Sequence, residues 1–408
     1  AAQLDRELEA GTLTAADLEA VGREIARWQA ELPRAEPADR WGDFASVMGP
    51  VRENFEHLRR ELADRPGLTA RIAPLERRSE ALGDALRGRL AERRAAGWIR
   101  EGHGDLHLSN LARLPEGIRA FDCIEFSAEL RWIDVVSDLA FLFMDLLARD
   151  RDDLAWRLVN AWHTACGDWR GLRLLRFYAL YRTLVRAKVA ALQRGQQEDS
   201  AARQALEDRL ALHVALGEVL AAEPRPVLVL MHGVSGSGKS HHAIPLADRV
   251  GAVHLRSDVE RKRLFGLDPL ARGGDEAGLY TPGATARTYA HLAAMAEELL
   301  DAGLAVIVEA TFLERERRAQ FTALGERAGA PVLDLDCAAP PHVLRDRLQH
   351  RNRRGDDPSD ADAAVLERQE RSREPLDSEE AGFTRVRVAA DTTTAHLLER
   401  IDELRSSR

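Results

Sequence analysis

The feature that most constrains this chain is an apolar run that leads directly into a glycine-rich loop, between Val227 and Ser240. The run from Val227 to Met231 predicts a buried strand. The residues from Gly233 to Ser240 fit the pattern G-x-x-x-x-G-K-S, which is typical of loops that bind nucleotide phosphates. Glycine adopts backbone conformations that other residues avoid, so the amides of such a loop can converge on phosphate oxygens at a helix start. The pattern therefore predicts a strand, a phosphate-binding loop and a helix.

Each position of this loop suggests a role. Lys239 is expected to reach the outer phosphates of ATP, and the Ser240 hydroxyl is expected to hold Mg²⁺. The chain has 58 Lys plus Arg but only three lysines, so a lysine in this loop suggests a need for a compact ammonium group. The alternative is a Gly/Ser-rich turn before a helix. The nucleotide-binding residues are predicted to be Gly233, Ser235, Gly236, Ser237, Gly238, Lys239, Ser240 and His241.

Composition limits the classes of protein. A length of 408 residues predicts two or three domains, and 45% hydrophobic residues supply an ample core. A net charge of −9 does not indicate a general polyanion-binding surface, so nucleic acid is a possible but not a favoured partner. Three widely spaced cysteines suggest a reducing compartment. Without an apolar run long enough to span a bilayer, we expect a cytoplasmic protein with no membrane partner.

The chain divides into two predicted domains. Residues 1–222 predict mainly helices, with a loop at Asp39–Pro50, a solvent-facing arginine-rich helix at Ala85–Ala96 and a small hairpin within Leu111–Phe121. Two prolines after Glu223 mark the boundary. Residues 223–408 alternate short apolar strands with helices, which predicts a parallel α/β sheet covered on both faces. The predicted strands are Val227–Met231, Ala252–Leu255, Ala305–Glu309, Val332–Leu335 and Val386–Ala389.

Polar residues follow two of these strands. Asp258 comes after the second predicted strand, where a carboxylate could accept a proton from an attacking hydroxyl, and Arg261 lies one helical turn later, where it could hold an anionic acceptor. Glu309 ends the third predicted strand and is a candidate Mg²⁺ ligand. The alternatives are a helix N-cap with solvated arginines and an ordinary strand end.

A cluster of arginines precedes the predicted loop Gly355–Pro358. Arg347 and Arg351 are four residues apart and share a helix face. Such clustering suits a mobile lid over transferring phosphates. Favourable charge at a helix C-terminus is the alternative.

These motifs together resemble P-loop kinases of the gluconate kinase, polynucleotide 5′-kinase and chloramphenicol phosphotransferase group. The resemblance rests on the phosphate loop, the D-x-x-R spacing of Asp258 and Arg261, the EATF of Glu309–Phe312 and the arginine cluster. It implies that Asp258 is the base, that Arg261 orients the acceptor and that Arg347 and Arg351 are lid cations. Many relatives have Asp where this chain has Glu309.

A second motif, HGDLHLSN, lies in the first domain at 103–110. Asp105 could take a hydroxyl proton and Asn110 could bind Mg²⁺, with Asp122 as a second metal ligand; His103 and His107 are expected to shape the loop. With FDCIEF at 121–126, the motif resembles the aminoglycoside phosphotransferase family, which has a protein-kinase-like fold. The resemblance implies only the C-terminal lobe, and the β-rich N-lobe is expected to be missing. The whole chain is similar to bacterial fusions of this kinase type with a P-loop domain.

The leading hypothesis is an ATP-dependent phosphotransferase that acts on a hydroxyl of a small molecule, such as a sugar or an antibiotic-like compound. One alternative keeps the reaction and makes the acceptor a 5′-hydroxyl polynucleotide. The other is a non-catalytic, ATP-binding switch with a kinase-like scaffold lobe.

Overall fold

The computed structural model describes residues 2–269, 278–354, 359, 361–376, 380 and 383–406. Two compact units make up the chain, unit 1 at Ala1–Glu223 and unit 2 at Pro224–Arg408. The predicted loop Gly355–Pro358 lies outside the described residues. Of the helices that are described, none is long and apolar enough to cross a bilayer.

Unit 1 consists mainly of helices, with short strands between them. Its elements are β1 (Ala2–Gln3), α1 (Leu4–Glu9), α2 (Ala15–Glu31), α3 (Phe44–Glu61), α4 (Pro66–Ala95), β2 (Ile99–Glu101), β3 (Leu111–Leu114), β4 (Gly117–Ala120), α5 (Ala128–Arg131), β5 (Trp132–Asp134), α6 (Val135–Leu147), α7 (Asp152–Cys166), α8 (Leu175–Gln196) and α9 (Ser200–Ala221). The predicted hairpin is confirmed, because β3 and β4 pair antiparallel. The helix α6 is buried from Val135 to Leu146, including the carboxylates of Asp138 and Asp145, which accept hydrogen bonds from backbone amides.

The predicted loop at Asp39–Pro50 is wrong over its second half. The helix α3 begins at Phe44, and the Asp43 side chain caps it by accepting a hydrogen bond from the Ser46 amide at 2.7 Å. Pro50 lies inside the helix. The buried side chains Met48, Val51 and Phe55 supply the apolar face that stabilises this helix by packing.

The arginine-rich helix predicted at Ala85–Ala96 is present, but it is not entirely solvent-facing. It is the end of the 30-residue helix α4, and Arg93 is 3% exposed rather than solvated. Its guanidinium binds the carboxylates of both Asp134 and Asp168, with nitrogen–oxygen distances of 2.6–2.8 Å. A buried arginine needs such partners, because an unpaired charge in the core is strongly destabilising. This ion triad ties α4 to the end of β5 and to the segment after α7.

Unit 2 contains a five-stranded parallel sheet. Its elements are β6 (Leu228–His232), α10 (Lys239–Val250), β7 (Ala252–Arg256), α11 (Ser257–Leu264), α12 (Pro282–Asp301), β8 (Ala305–Glu309), α13 (Arg315–Arg327), β9 (Val332–Cys337), α14 (Pro341–Arg354), α15 (Ala363–Ser372), β10 (Thr384–Val388) and α16 (Thr394–Ser406). The strand order is β10-β9-β6-β8-β7, and every neighbouring pair is parallel. The mainly helical first region and the parallel α/β second region confirm the predicted fold class.

The order of the strands decides where the loops of unit 2 meet. All five predicted strands are present, and β6, β8 and β9 are buried along their whole length. The helices α10 and α16 pack on the sheet as one pair, and α12 and α13 form a second pair against β8 and β9. Because the strands run the same way, the segments that follow β6, β7, β8 and β9 leave at one edge of the sheet. Ligands of such sheets bind at this edge.

Candidate functional site

The loop between β6 and α10 has backbone conformations that require glycine. Gly233, Gly236 and Gly238 have φ values of 139°, 82° and 103°. A Cβ atom on Gly233 would lie 2.4 Å from the carbonyl oxygen of Cys337, and one on Gly236 would lie 3.0 Å from that of Leu344. Side chains are therefore excluded on both conformational and steric grounds. The sequence pattern forms the narrow, side-chain-free loop that it predicts.

The end of this loop suits an anion. The helix α10 begins at Lys239, and its N-cap, Gly238, has no side chain to accept a hydrogen bond from the first amides. Amides at a helix start carry partial positive charge and attract phosphate. The hydroxyl of Ser237 is buried and has no hydrogen-bond partner among the described residues. The Ser235 amide is already engaged, because it donates to the side-chain oxygen of Gln369 at 2.7 Å.

Lys239 closes the loop from within. Its Nζ donates to the carbonyl oxygens of Gly233 and Val234 at 2.9 and 3.0 Å. Burial lowers the pKa of Lys239, and the negative charge of Glu309 opposes that shift. The ammonium group is thus held against the loop backbone by two carbonyl oxygens. A triphosphate bound along the loop would add the negative charge that this half-buried cation favours.

Ser240 and Glu309 form a pair of oxygen ligands beside the loop. The Ser240 hydroxyl donates to one oxygen of the Glu309 carboxylate at 2.5 Å. The other carboxylate oxygen lies 2.9 Å from Nε2 of His254 and 3.5 Å from Nε of Arg256. Burial would raise the pKa of Glu309, but Arg256, His254 and Lys239 outweigh it and hold the pKa well below its usual range. An ionised carboxylate and a hydroxyl are ligands of the kind Mg²⁺ takes, so these two residues fit that ion.

One cleft of about 380 Å³ gathers most of the predicted residues of unit 2. They are Ser235, Gly236, Gly238, Lys239, Ser240, His241, Asp258, Arg261, Glu309, Arg347 and Arg351. Gly233 and Ser237 shape the loop without lining the cleft. Sequence reasoning missed the lining residues Arg256, Tyr280, Thr285, Tyr289, Arg368 and Gln369, which lie in segments that carry no motif of their own.

Asp258 and Arg261 lie on α11, which starts directly after β7. Asp258 is in the first turn and is half-buried, and its side chain makes no hydrogen bond to another described residue. Arg261 is 8% exposed, and its NH1 donates to the carbonyl oxygen of Leu279 at 2.8 Å. Within the described part of the chain, its Nε has no partner. The cleft thus contains a carboxylate that is available to a hydroxyl group and a buried guanidinium with an unused donor.

The two predicted lid arginines lie on α14, which packs against the phosphate loop. Arg347 donates to the carbonyl oxygen of Gly236 at 3.2 Å, and Arg351 donates to that of Ala361 at 3.0 Å. An apolar cluster holds this arrangement together; it consists of Val234, Leu344, Leu348 and Leu366, from the loop, α14 and α15. The arginines are therefore carried by a packed pair of helices that borders the cleft.

Of the candidate site residues predicted in unit 1, Asp105 and Asn110 are in contact with each other. The Asn110 side chain donates to the backbone and carboxylate oxygens of Asp105 at 3.0 and 3.3 Å, and His107 lies 3.4 Å from the same carboxylate. Burial raises the pKa of Asp105, but His107, Arg182 and Arg186 outweigh it, so the pKa lies below its usual range. Asp105 is thus an ionised carboxylate held by its own loop.

Asp122 lies in different surroundings from Asp105 and Asn110. It is exposed and has a φ of 60°. Together with Phe121 and Cys123 it lines an apolar groove of about 340 Å³, and neither Asp105 nor Asn110 lines this groove. Across the described residues, no group of three or more His, Cys, Asp or Glu side chains is arranged to hold a metal ion. The His103 imidazole contacts the loop backbone as expected: Nε2 lies 2.9 Å from the carbonyl oxygen of Phe121, and Nδ1 accepts from the Asp105 amide at 3.3 Å. The role of Asn110 and Asp122 in metal binding stays a prediction.

Comparison with known proteins adds relatives for both units. Residues 228–376 match the family model described as AAA domain. Over 351 residues the chain is 30% identical to uncharacterized protein Rv2004c of Mycobacterium tuberculosis and to uncharacterized protein Mb2027c of Mycobacterium bovis. These matches cover 86% of this chain and 69% of each relative.

Solved structures give weaker likenesses. A gluconokinase from Sinorhizobium meliloti is 21% identical with a TM-score of 0.30, over 46% of this chain and 94% of that one. A choline kinase from Cryptosporidium parvum is 12% identical with a TM-score of 0.39, over 53% of this chain and 68% of that one. At these scores the likenesses carry no argument about activity.

Proposed function

The chain belongs to the same family as the two mycobacterial proteins, and on this premise we propose that unit 2 is an ATP-dependent phosphotransferase. It transfers the γ-phosphate to a hydroxyl group of a small molecule, such as a sugar or an antibiotic-like compound. The observation that carries the proposal is the cleft that holds the phosphate loop, Asp258 and Arg261 together. A loop for phosphates alone would suit a nucleotide switch, whereas a carboxylate and a guanidinium opposite it supply the groups that an acceptor needs.

Binding begins at the loop. The amides from Gly236 to Ser240 and the Lys239 ammonium hold the phosphates of ATP, and His241 lies next to them on α10. Ser240 and Glu309 hold Mg²⁺, which when bound neutralises phosphate charge. Arg347 and Arg351 add cations from α14 on the cleft side of the loop. Their positive charge offsets the negative charge of the transferring group.

Transfer needs a base and an oriented acceptor. The acceptor hydroxyl gives its proton to the Asp258 carboxylate while its oxygen forms a bond to the γ-phosphorus. The bond from that phosphorus to the β,γ-bridging oxygen breaks, and ADP leaves with the electron pair. Arg261, which lines the cleft, orients the acceptor through its guanidinium group. Asp258 is suited to the task because its carboxylate makes no competing hydrogen bond to a described residue.

A polynucleotide acceptor with a 5′-hydroxyl is the second candidate. Five arginines line the cleft, which favours an acceptor with negative charge; they are Arg256, Arg261, Arg347, Arg351 and Arg368. The net charge of −9 for the whole chain weighs against broad contact with nucleic acid. Binding to single strands that weakens steeply with salt would favour this candidate.

For unit 1 we propose a kinase-like lobe of the aminoglycoside phosphotransferase type. The support is the held, ionised carboxylate of Asp105 and its bond to Asn110. Asp105 would be the base of any transfer in this lobe, with Asn110 and Asp122 as candidate metal ligands. We also propose a cytoplasmic location, since ATP is abundant there and Cys123, Cys166 and Cys337 form no disulfide with one another.

The test is a screen of acceptors with the full chain. Sugars, aminoglycosides and 5′-hydroxyl oligonucleotides are each incubated with Mg-ATP, and ADP release and phosphorylated product are measured. We expect one class to stimulate ADP release well above the rate with water alone, and Lys239→Met to abolish the stimulation. Binding of Mg-ATP without stimulation by any class would contradict the proposal and favour the switch.

A further inference from the structure

Two side chains on β7 point to one carboxylate on β8. His254 and Arg256 are two residues apart on the strand, so they project from the same face of the sheet. The parallel register pairs Arg256 with Glu309 and His254 with Ile307, two residues before Glu309. Alternation along both strands therefore brings an imidazole and a guanidinium beside the Glu309 side chain. The contacts at 2.9 and 3.5 Å follow from this register.

Both oxygens of Glu309 are engaged, and on opposite sides. Oε2 accepts a hydrogen bond from His254 at 2.9 Å and lies 3.5 Å from Nε of Arg256, which is an ion-pair distance, and Oε1 accepts from the Ser240 hydroxyl on α10. His254 must carry its proton on Nε2, because a carboxylate has only acceptors to offer. With Oε2 held by β7, the carboxylate cannot rotate, and Oε1 faces Ser240. The carboxylate is thus aimed at the start of α10 by groups that do not themselves belong to the phosphate loop.

The contacts from β7 matter because the glutamate side chain is long. Glutamate has one more rotatable bond than aspartate, so its carboxylate loses more conformational freedom when it is fixed in one orientation. His254 is 6% exposed and Glu309 is 8% exposed, so water offers little competition for the contact. A leucine would fill the space of the imidazole, but it would leave Oε2 with the longer contact to Arg256 alone.

We propose that His254 is a positioning residue: together with Arg256 it orients the Glu309 carboxylate so that Ser240 and Glu309 bind Mg²⁺ with the nucleotide. The inference rests on the proposed function, since it assigns the orienting contact within that site. It also accounts for a glutamate at this strand end. His254 does not line the cleft and is not expected to touch nucleotide or acceptor.

The experiment measures how strongly Mg²⁺ enhances nucleotide binding. Calorimetry gives the Kd of ADP for the full chain with Mg²⁺ and with EDTA, and the ratio of the two is the enhancement. The variants are His254→Leu, which removes the donor, and His254→Gln, which keeps an N–H donor. His291→Leu is the control, because His291 also contacts a glutamate of unit 2, Glu260 at 3.3 Å, but does not line the cleft.

We expect His254→Leu to reduce the enhancement by about tenfold, the usual scale for losing the partner that orients a metal ligand. Binding in EDTA should stay within about twofold, and His254→Gln should restore part of the enhancement. His291→Leu should match the wild type. In a Glu309→Gln background, His254→Leu should have no further effect, because both changes act on one contact.

Other outcomes would overturn the inference. An unchanged enhancement in His254→Leu, or an equal loss with Mg²⁺ and with EDTA, would show a role in packing only. If His254→Leu does not fold, Arg256→Met removes the cation that lies 3.5 Å from the same oxygen. An enhancement equal to that of the wild type would then refute the proposed orientation of Glu309 by β7. A wild type that binds ADP equally with and without Mg²⁺ would instead refute the proposed function, and this inference with it.

Discussion

Replacement of Asp258 by asparagine separates chemistry from binding in unit 2. The side chains have almost the same shape, but the amide cannot accept a proton. The Asp258 side chain makes no hydrogen bond to another described residue and is half-buried, so the substitution leaves no described partner unsatisfied. We therefore expect the fold and its melting temperature to be unchanged.

The size of the effect follows from the role of the carboxylate. A positioned general base contributes about 10²–10⁴-fold to the rate, and kcat should fall by that factor. The affinity for ATP should move the other way, because the lost charge is negative and faces a site for phosphates. A partly exposed charge pair is worth about 0.2–1 kcal/mol, so ATP should bind equally well or up to about fivefold more tightly.

Two assays on the same preparations measure these quantities. Acceptor-dependent ADP release gives kcat, and calorimetry with a non-hydrolysable ATP analogue gives Kd. The control is Asp301→Asn, which makes the same change at an exposed residue at the end of α12. If Asp258→Asn keeps wild-type turnover, the carboxylate is not the base. If turnover and nucleotide affinity fall together, the residue acts on binding instead.

Three further predictions concern the loop and the core of unit 1. Gly236→Ala forces a side chain into a φ of 82° at the phosphate loop and should weaken ATP binding by about 1–2 kcal/mol. The control is Gly329→Ala, at a φ of 64° in open space, which should leave the calorimetric affinity for ATP unchanged. Equal ATP affinities for the two variants would contradict the loop geometry. Arg93→Met leaves two buried carboxylates unpaired and should cost unit 1 about 3–5 kcal/mol in denaturant unfolding, and a loss below about 1 kcal/mol would refute the triad. Burial lowers the pKa of His213 to about 4, so the unfolded chain binds a proton at this histidine before the folded chain does as pH falls. The free energy of unfolding of unit 1 should therefore decrease by about 3 kcal/mol between about pH 6.5 and 4. In His213→Gln this part of the pH dependence should disappear, and an unchanged slope would contradict the assignment.

The strands and the phosphate loop could be predicted because their signals are local. A strand buried on both faces is a short apolar run whatever surrounds it, and the glycines of the loop are required by backbone conformation at the loop itself. Asp258 and Glu309 were predicted from their place after strands, and the parallel sheet brings them to the same edge as the loop. Here the fold class supplied the link between motifs that are far apart in the sequence.

Features that depend on distant partners were missed. Arg93 looked like part of a solvated face because Asp134 and Asp168, which hold it in the core, lie far along the chain. The contact of Gln369 with the Ser235 amide joins residues that are 134 positions apart. His254 gains its contact with Glu309 only from the register of β7 and β8. None of these residues belongs to a recognisable sequence motif, so only the packed structure reveals which residues they contact.

The central claim is that the loop from Gly233 to Ser240 binds a nucleotide triphosphate through its amides and Lys239. Calorimetry of Mg-ATP against the full chain, beside Lys239→Met, tests it most directly. We predict saturable binding to the wild type that is about 10- to 100-fold weaker in the variant, since a charge-assisted contact is worth about 1.5–3 kcal/mol. A folded wild type that gives no binding heat at several temperatures, or a variant that binds as tightly as the wild type, would contradict the claim.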